Sequence, residues 1–370
     1  MPISPVERND HSEPNAEAFI FGFDFEPNGA ISRVDWTKIK PTAACPELGW
    51  RWLHFNRLAA ETREWLEESS DLDEAVIAAL LQTESRPRCA PYEDGLLLNL
   101  RGVNHNPGAE PEDMISVRIW ATSNLVISMR SYPVKAIHEV REETGRDPPT
   151  SSAHLLARIA SKLVDYIDPV VEQLKEEADE FEETMLNEKG RLSPRDLAEF
   201  RRTILLLRRY VQPQSEAMTQ LQREARMRRS GAPVFDDDDQ VILRDTSDHI
   251  IRIAEELDSI RDRAAVLQDQ VVGQRQETLN QRLLALSIVS AIFLPLSYVT
   301  GLLGMNLAGI PWAHEPWSFG MVVGVTCALG VGVLAFLKWR RWIWVQVRSS
   351  PSLALSMVSL TPSPTLPTES

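Results

Sequence analysis

The chain is short of cysteine, has no excess of positive charge, and does not begin with an apolar segment. Three cysteines in 370 residues, Cys45, Cys89 and Cys327, are too widely spaced for a C-x-x-C metal site or a disulfide framework. A formal net charge of −14 argues against nucleic acid as a partner, because nucleic-acid binding needs a basic surface. The opening residues, MPISPVERNDHSEPN, lack the basic and apolar regions of a signal peptide, so we expect none.

Charge is also absent from two long segments near the C-terminus, residues 283–303 and 318–337. About 20 apolar residues in a helix suffice to cross the roughly 30 Å hydrocarbon core of a membrane. A buried helical hairpin in a soluble core is the alternative, but such helices usually keep one polar face. The sequence therefore predicts two transmembrane helices joined by an external loop, residues 304–317.

Basic residues flank these predicted spans on one side only. They precede the first span and follow the second, at Arg275, Arg282, Lys338, Arg340, Arg341 and Arg348. The loop between the spans carries only His314 and Glu315 as ionisable residues. By the positive-inside rule, both ends of the chain are expected in the cytoplasm and the loop outside.

The rest of the sequence divides into regions of different composition. Residues 1–17 are polar and are expected to be disordered. Strand-like segments alternate with a helical pattern across residues 18–148, which predicts a cytoplasmic α/β domain. Residues 149–239 read as an acidic helical hairpin region, and residues 338–370 as a basic end with a disordered tail rich in Ser, Thr and Pro. The clearest strand segments are FIFGFDF, LGWRWLHFN, GLLLNLRGVN, MISVRIW and NLVISMR.

Three helices are expected before residue 240. One helix is predicted from Leu58 to Gln82, with Leu58 in the core. A second starts near Thr150 and continues to Gly190. A third begins with Ser193 as its N-cap and is kinked or divided at Pro213.

Two acidic runs in this region are each open to two interpretations. Residues 176–183, EEADEFEE, form either a solvated helix face or a surface that concentrates divalent cations. Residues 236–239, four consecutive Asp, form either a helix start or a cytoplasmic metal site. His54, His105 and His138 are scattered singly, and structural roles are expected for them.

From residue 240 the helical pattern continues to residue 303, so a stalk and the first span are predicted to form one helix. Apolar residues recur there at spacings of three and four, at Ile250, Ile253, Leu257, Ile260, Ala264, Leu267 and Val271. Such a seam indicates helix–helix contact, and we expect the partners to be copies of the same chain.

One face of the first predicted span is small or polar and favours a pore-lining role. Its residues, again at spacings of three and four, are Asn280, Leu283, Ser287, Ser290, Leu294, Ser297 and Gly301. Serines that bond their own backbone and small residues that allow close packing are the alternatives. Leu283, Leu286 and Leu294 are candidates for hydrophobic constrictions, and Asp269 for an acidic ring below the membrane.

Within the membrane this face has no Asp, Glu, His or Cys, the side chains that would strip a metal ion of its water and hold it tightly. Amide and hydroxyl oxygens instead accept hydrogen bonds from the water around an ion. A ring of Asn306 side chains, one from each copy, would bind a hydrated dication weakly enough to release it.

The segment IFLPLSYVTGLLGMN, in which Gly304, Met305 and Asn306 close the first span, resembles the CorA superfamily of divalent cation transporters. The segments GMNLAGIP and RGVNHNPGAEPEDMISVRIW are more similar to the ZntB branch, which is associated with zinc. The resemblance implies a funnel-shaped homopentamer in the bacterial inner membrane, with a central pore lined by the first span. It also implies that Glu315 draws cations to the pore mouth.

The expected fold is therefore an α+β membrane protein with a cytoplasmic α/β domain, a long helical stalk and two C-terminal transmembrane helices. Its expected function is transport of a divalent cation, zinc first, with magnesium, cobalt, nickel and cadmium as alternative cargo. A membrane-anchored metal sensor is the rival outside this class. No enzyme activity and no prosthetic group are expected, and the expected partners are lipid, metal ions and further copies. The second span is expected to pack outside the first through Gly320, Gly324, Gly330 and Gly332.

Overall fold

The computed structural model describes residues 18–39, 49–83, 86–187, 192–227, 229–305 and 315–339. The chain divides into two compact units, Met1–Val271 and Val272–Ser370. The strands are β1 (Phe19–Phe25), β2 (Ile31–Arg33), β3 (Trp50–Asn56), β4 (Arg88–Pro91), β5 (Leu96–Gly102), β6 (Ile115–Ala121) and β7 (Leu125–Arg130). The helices are α1 (Trp36–Ile39), α2 (Ala60–Glu68), α3 (Glu74–Leu81), α4 (Lys135–Thr144), α5 (Ser152–Asp165), α6 (Asp168–Leu186), α7 (Pro194–Ala225), α8 (Asp237–Leu303) and α9 (Ser318–Trp339).

A mixed seven-stranded sheet forms the centre of the first unit, in the order β2-β1-β3-β7-β6-β5-β4. Strands β3 and β7 run parallel and place His54 beside Ser128, whereas the other described neighbours are antiparallel. Between β1 and β2 the chain turns at Gly29, whose φ of 84° is a conformation that glycine adopts without steric cost. The strands predicted from the sequence are confirmed.

Helices cover both faces of this sheet. Successive side chains of a strand point to opposite faces, so neighbouring residues belong to different cores. Trp52 of β3 belongs to a core shared with α4 to α8, while its neighbour Leu53 belongs to a core shared with α2 and α3. All seven residues of β3 are therefore buried, including its polar ones. The buried charge of Arg51 is paired with the carboxylate of Asp24, to which its Nε and Nη2 donate at 2.5 and 3.0 Å.

Two of the predicted helices are each divided in the structure. The segment from Leu58 to Gln82 forms α2 and α3, and Leu58 is 48% exposed rather than in the core. The segment from Thr150 forms α5 and α6, which separate just before Pro169. Proline is tolerated in the first turn of a helix, where its missing N–H would have had no partner, but it disfavours helix in the residue before it.

In α7, Pro213 was expected to kink or divide the helix, and it does not divide it, because it lies inside one continuous helix. A proline in a helix interior costs about 3 kcal/mol. Buried residues on both sides of it, among them Val211 and Met218, show that tertiary packing offsets this cost. The predicted start is confirmed, since Ser193 caps the helix through its side chain.

The apolar seam of α8 is buried inside the chain itself, so the expected contact with copies of the chain is wrong. Between Ile250 and Val271 the exposed fraction of the seam residues does not exceed 7%. They share one core with α5, α6 and α7. Arg263, also on α8, donates to Asp179 and Glu182, so part of the acidic run in α6 is an ion-pair surface.

The second unit contains two helical segments that are long and apolar enough to cross a membrane, one in α8 and one in α9. Their apolar windows have mean hydropathies of 2.0 and 2.2, and no residue in either window is buried. Uncharged segments of this length and hydropathy, without buried residues, are suited to a lipid bilayer.

Several predicted features lie outside the described residues. They are the segments 1–17 and 340–370, Cys45, the helix end at Gly190, and the part of the loop that holds Asn306 and His314.

Candidate functional site

The eight predicted pore-lining residues lie along α8 and are all exposed within the chain. They are Asn280, Leu283, Leu286, Ser287, Ser290, Leu294, Ser297 and Gly301. At about 100° per residue, their directions fall within roughly 60° of one line along the helix. Leu294 exposes 75% of its surface. This polar stripe, defined by these eight residues, has no partner among the described residues.

The opposite face of α8 is the one that α9 covers. Partly covered residues recur there at Leu284, Ile288, Ile292, Leu296 and Val299. A Cβ added at Gly330 of α9 would lie 3.9 Å from Leu296 Cδ1, in ordinary van der Waals contact. The directions of the covered face and of the polar stripe differ by roughly 150° around α8. α9 therefore packs on the side of α8 away from the polar stripe.

Of the four glycines predicted to mediate this packing, Gly330 alone approaches α8 among the described residues. A Cβ at Gly320, Gly324 or Gly332 would meet open space. Within the chain, packing on α8 is therefore seen at Gly330, and a packing role for Gly320, Gly324 and Gly332 stays a prediction.

Two of the three serines in the polar stripe use their hydroxyl hydrogen within the helix. Ser287 Oγ donates to the Leu283 carbonyl at 2.9 Å, and Ser290 Oγ donates to the Leu286 carbonyl at 3.0 Å. This bonding is one of the alternatives that the sequence left open. A hydroxyl oxygen that has donated its hydrogen still has lone pairs to accept with. Both serines therefore present acceptors to whatever fills the space beside the helix.

The GMN motif begins where α8 ends. α8 ends at Leu303, and the N–H of Gly304 donates to the Thr300 carbonyl at 2.9 Å. Met305 is exposed, and Asn306 lies outside the described residues. At the start of α9 the Glu315 carbonyl accepts from the Ser318 N–H at 3.2 Å and from its hydroxyl at 2.8 Å. Glu315 itself is exposed, so its carboxylate is accessible to ions from solution.

No group of three or more His, Cys, Asp or Glu side chains able to hold a metal occurs in the described part of the chain. Asp269 is exposed on α8. In the run of four Asp, the N–H of Asp239 donates to Asp236 Oδ1 at 2.8 Å, and the N–H of Asp236 to Asp239 Oδ2 at 3.3 Å. Burial raises the pKa of the Asp239 carboxyl. These contacts support the helix-start interpretation of the run.

The structure also brings together side chains that the sequence scatters. A cavity of about 260 Å³ in the first unit is lined by, among others, His54, His105, Arg130, Lys135, His138 and Arg141. No sequence spacing indicates this cavity, because it depends on the parallel pairing of β3 with β7 and on the position of α4.

Comparison with known proteins identifies relatives over most of the chain. The family model described as "CorA-like Mg2+ transporter protein" matches residues 47–340. The divalent cation transporter CmaX of Pseudomonas aeruginosa is 36% identical over 332 residues, which cover 88% of this chain and 96% of the relative. The zinc transport protein ZntB of Pectobacterium carotovorum is 32% identical over 294 residues, which cover 79% of this chain and 88% of the relative.

Solved structures with the same architecture include two complete chains. The full-length CmaX protein superposes with a TM-score of 0.73 at 33% identity, covering 89% of this chain and 100% of that chain. The CorA magnesium transporter from Methanocaldococcus jannaschii has a TM-score of 0.70 at 16% identity, covering 86% of this chain and 96% of that chain. At this identity the second likeness is one of fold alone.

Proposed function

This chain belongs to the CorA-like family of divalent cation transporters, and from that premise we propose that its cargo is zinc, moved as a hydrated ion along the polar stripe of α8. Support for zinc comes from the relative that is named for this metal. The observation that carries the proposed pathway is the face of α8 that is polar, uncharged and without a partner. In the full proposal, a ring of Asn306 side chains forms the filter at the end of this pathway.

The chemistry of the polar stripe matches an ion that keeps its water. Water bound to a dication presents its hydrogens outward and needs acceptors. Ser287 and Ser290 offer acceptors because their own hydrogens are bonded inside the helix. No ionised group of the stripe competes for the metal itself, so the ion would leave as readily as it enters. Leu283, Leu286 and Leu294 would narrow the pathway between these polar positions.

A single chain provides only one wall of such a pathway. Polar groups on a membrane helix cost free energy when they face lipid, so they normally face protein or water. Since α9 covers the other side of α8, the polar stripe is the face that further copies would enclose. We propose a homopentamer with this stripe on the axis and α9 outside. Asp269 would then form an acidic ring below the membrane.

The proposed location is the bacterial inner membrane, with both termini in the cytoplasm. Arg275 and Arg282 before the first span and Lys338 after the second support this orientation through the positive-inside rule. The loop with Glu315 would then lie outside, where its carboxylate would raise the local concentration of cations.

Magnesium is the second candidate cargo, because the matching family model is described by that ion. Hydroxyl and amide oxygens serve either hydrated ion, so the described side chains of the polar stripe do not choose between them. Liposomes with both ions present at equal concentration separate the two proposals. We expect zinc to enter faster, and faster magnesium entry would refute the zinc proposal while leaving transport intact.

Cysteine substitution tests the proposed pathway. In protein freed of its native cysteines, Ser287→Cys, Ser290→Cys and Ser297→Cys are expected to react with a charged thiol reagent and to lose zinc flux on reaction. Ile288→Cys and Ile292→Cys, on the face covered by α9, are the matched controls and should react slowly. If both sets react alike, the polar stripe does not line an aqueous pathway.

A further inference from the structure

The cavity of about 260 Å³ lies at the carboxyl ends of the parallel strands β3 and β7, beside the start of α4. His54 of β3, Arg130 at the end of β7 and Arg141 of α4 line it. Lys135 and His105 line it too and are exposed, so the cavity communicates with solvent. Ligands of α/β sheets commonly bind outside the carboxyl ends of the strands. Its volume is just below the range of small-molecule pockets, which begins at about 300 Å³.

The cavity is lined by cations, and no described Asp or Glu lines it. Arg130, Lys135 and Arg141 form no ion pair with a described carboxylate. Lys135 Nζ lies 5.1 Å from the centre of the Tyr166 ring, and Arg141 Cζ lies 4.9 Å from that of Phe21. These ring contacts position the cations without neutralising them, so their positive potential attracts an anion.

The start of α4 adds backbone donors to these charges. Its N-cap residue, Val134, supplies no side-chain acceptor, and its first turn contains no acidic residue. The first helical residue is instead Lys135, whose charge is unfavourable at the positive end of a helix dipole. The unpaired N–H groups of such a helix end form a binding site for anions. The charge of a bound anion would offset the unfavourable interaction between Lys135 and the positive end of the α4 dipole.

His54 is an independent sign that the cavity has a ligand. The residue is 1% exposed, its Nδ1 lies 2.7 Å from Ser128 Oγ, and its Nε2 is buried without a hydrogen-bond partner among the described residues. Ser128 Oγ occupies the Nδ1 side of the ring, and His54 is one of the residues that line the cavity. Trp52 Nε1 donates to the same Ser128 oxygen at 2.8 Å, and this hydroxyl lies within hydrogen-bond distance of both His54 Nδ1 and the Leu53 carbonyl.

We propose that this cavity binds the phosphate group of a small molecule, either free phosphate or a phosphate monoester, between Arg130, Lys135 and Arg141 at the start of α4. Guanidinium groups and helix N-termini are both recurrent phosphate ligands. Phe21 and Ile137 give the cavity an apolar wall on which the organic part of a monoester would pack. Zinc is a poor fit despite the three histidines, because three unpaired cations line the same space.

Calorimetric titration of the full-length protein in detergent tests the proposal. The probes are inorganic phosphate, glycerol 3-phosphate and glycerol, in buffer free of other phosphates. We expect saturable binding of the two phosphate-bearing probes and none of glycerol. Tighter binding of glycerol 3-phosphate would identify a monoester as the ligand, and equal binding would identify free phosphate. Absence of saturable binding by both phosphate probes would overturn the proposal.

Matched variants locate the site. Lys135→Gln changes an exposed side chain and should leave the fold intact, yet weaken phosphate binding about tenfold or more by removing one charged donor. Arg141→Gln should do the same. Arg146→Gln removes an exposed cation just beyond α4 and does not line the cavity, so it should bind as the wild type does. Equal weakening by Arg146→Gln would show attraction by net charge alone and would overturn the assigned site.

Discussion

His54 is buried as a neutral imidazole, and this links the stability of the protein to pH. Burial, and after it the charges of Arg130 and Arg141, lower the pKa of His54 well below 6.5. Below about pH 6.5 the unfolded chain therefore binds a proton that the folded chain does not. The free energy of unfolding consequently falls as the pH falls through this window, by at most about 1.4 kcal/mol per pH unit from this one group.

The variant His54→Asn keeps a polar group for Ser128 and removes the ionisable ring. In phosphate-free buffer, we expect the apparent Tm of the wild type to fall more than that of the variant when the pH is lowered from about 7.5 to about 5.5. The variant should be less stable at the higher pH, because the ring contact with Phe21 is lost. Equal falls in Tm would show that folded His54 takes up its proton as readily as the unfolded chain does.

Individual residues differ in how far the sequence could predict their roles. Ser287 and Ser290 could be singled out because small polar residues repeat at helical spacing in an apolar segment. Their bonds to the Leu283 and Leu286 carbonyls are local, so bonding within the helix could be foreseen from the sequence as the alternative to a pore-lining role. The phosphate cavity could not be predicted, since a strand end and a distant helix meet there only through the sheet topology. The role of Asn306 stays a prediction.

At the scale of elements, the seam of α8 is part of the core of its own chain, so a change in the seam should lower the stability of the fold and not break the assembly. Leu257 is fully buried in the core that α8 shares with α5, α6 and α7. Leu257→Ala should lower the free energy of unfolding by about 2–5 kcal/mol, through lost burial and the cavity left behind. Thermal unfolding of the detergent-solubilised protein measures the effect as a lower Tm.

Val266→Ala is the matched control for this prediction, because Val266 lies on the same helix and is exposed. It should change stability by no more than about 0.5 kcal/mol. Size-exclusion chromatography should show the wild-type assembly for folded Leu257→Ala. Loss of the assembly with an unchanged Tm would instead mean that the seam holds copies together.

The packing of α9 on α8 gives a second prediction at this scale. Gly330→Leu places a side chain against Leu296, where a Cβ alone already makes contact at 3.9 Å. Overpacking of this kind costs about 1–3 kcal/mol, so we expect a lower Tm. Gly332→Leu, two residues along, enters open space within the chain and should be tolerated. If Gly332→Leu were the more damaging variant, the main partner of α9 would lie outside its own chain.

Elements were predictable where local patterns decide them. Strand segments and the Ser193 cap follow from alternation and capping chemistry, which act over a few residues. Helix breaks were less predictable, because Pro169 and Pro213 have the same local chemistry and differ in tertiary surroundings. Pro169 begins α6, whereas Pro213 lies inside α7, whose buried face continues past it. The partners of the α8 seam were mistaken for the same reason, since periodicity shows that a face is buried but not against what.

At the scale of the whole molecule, the two units divide the chemistry between them. The unit Met1–Val271 holds the sheet and the cavity lined by Arg130 and Arg141. The unit Val272–Ser370 holds the polar stripe and two apolar helical segments without buried residues. The first folds around its own core, whereas the apolar segments of the second have no buried residues and are suited to lipid. This division agrees with a membrane transporter that has a soluble domain.

Zinc flux into liposomes tests the central claim most directly. Purified protein is reconstituted around a zinc-sensitive dye, and zinc entry is compared with that into protein-free liposomes, with and without a pH gradient. We expect saturable zinc entry through the wild type, and its loss in Asn306→Leu, which keeps the side-chain volume, removes the amide oxygen and should still assemble. Zinc entry no faster than into protein-free liposomes, under either condition, would contradict zinc transport by this protein.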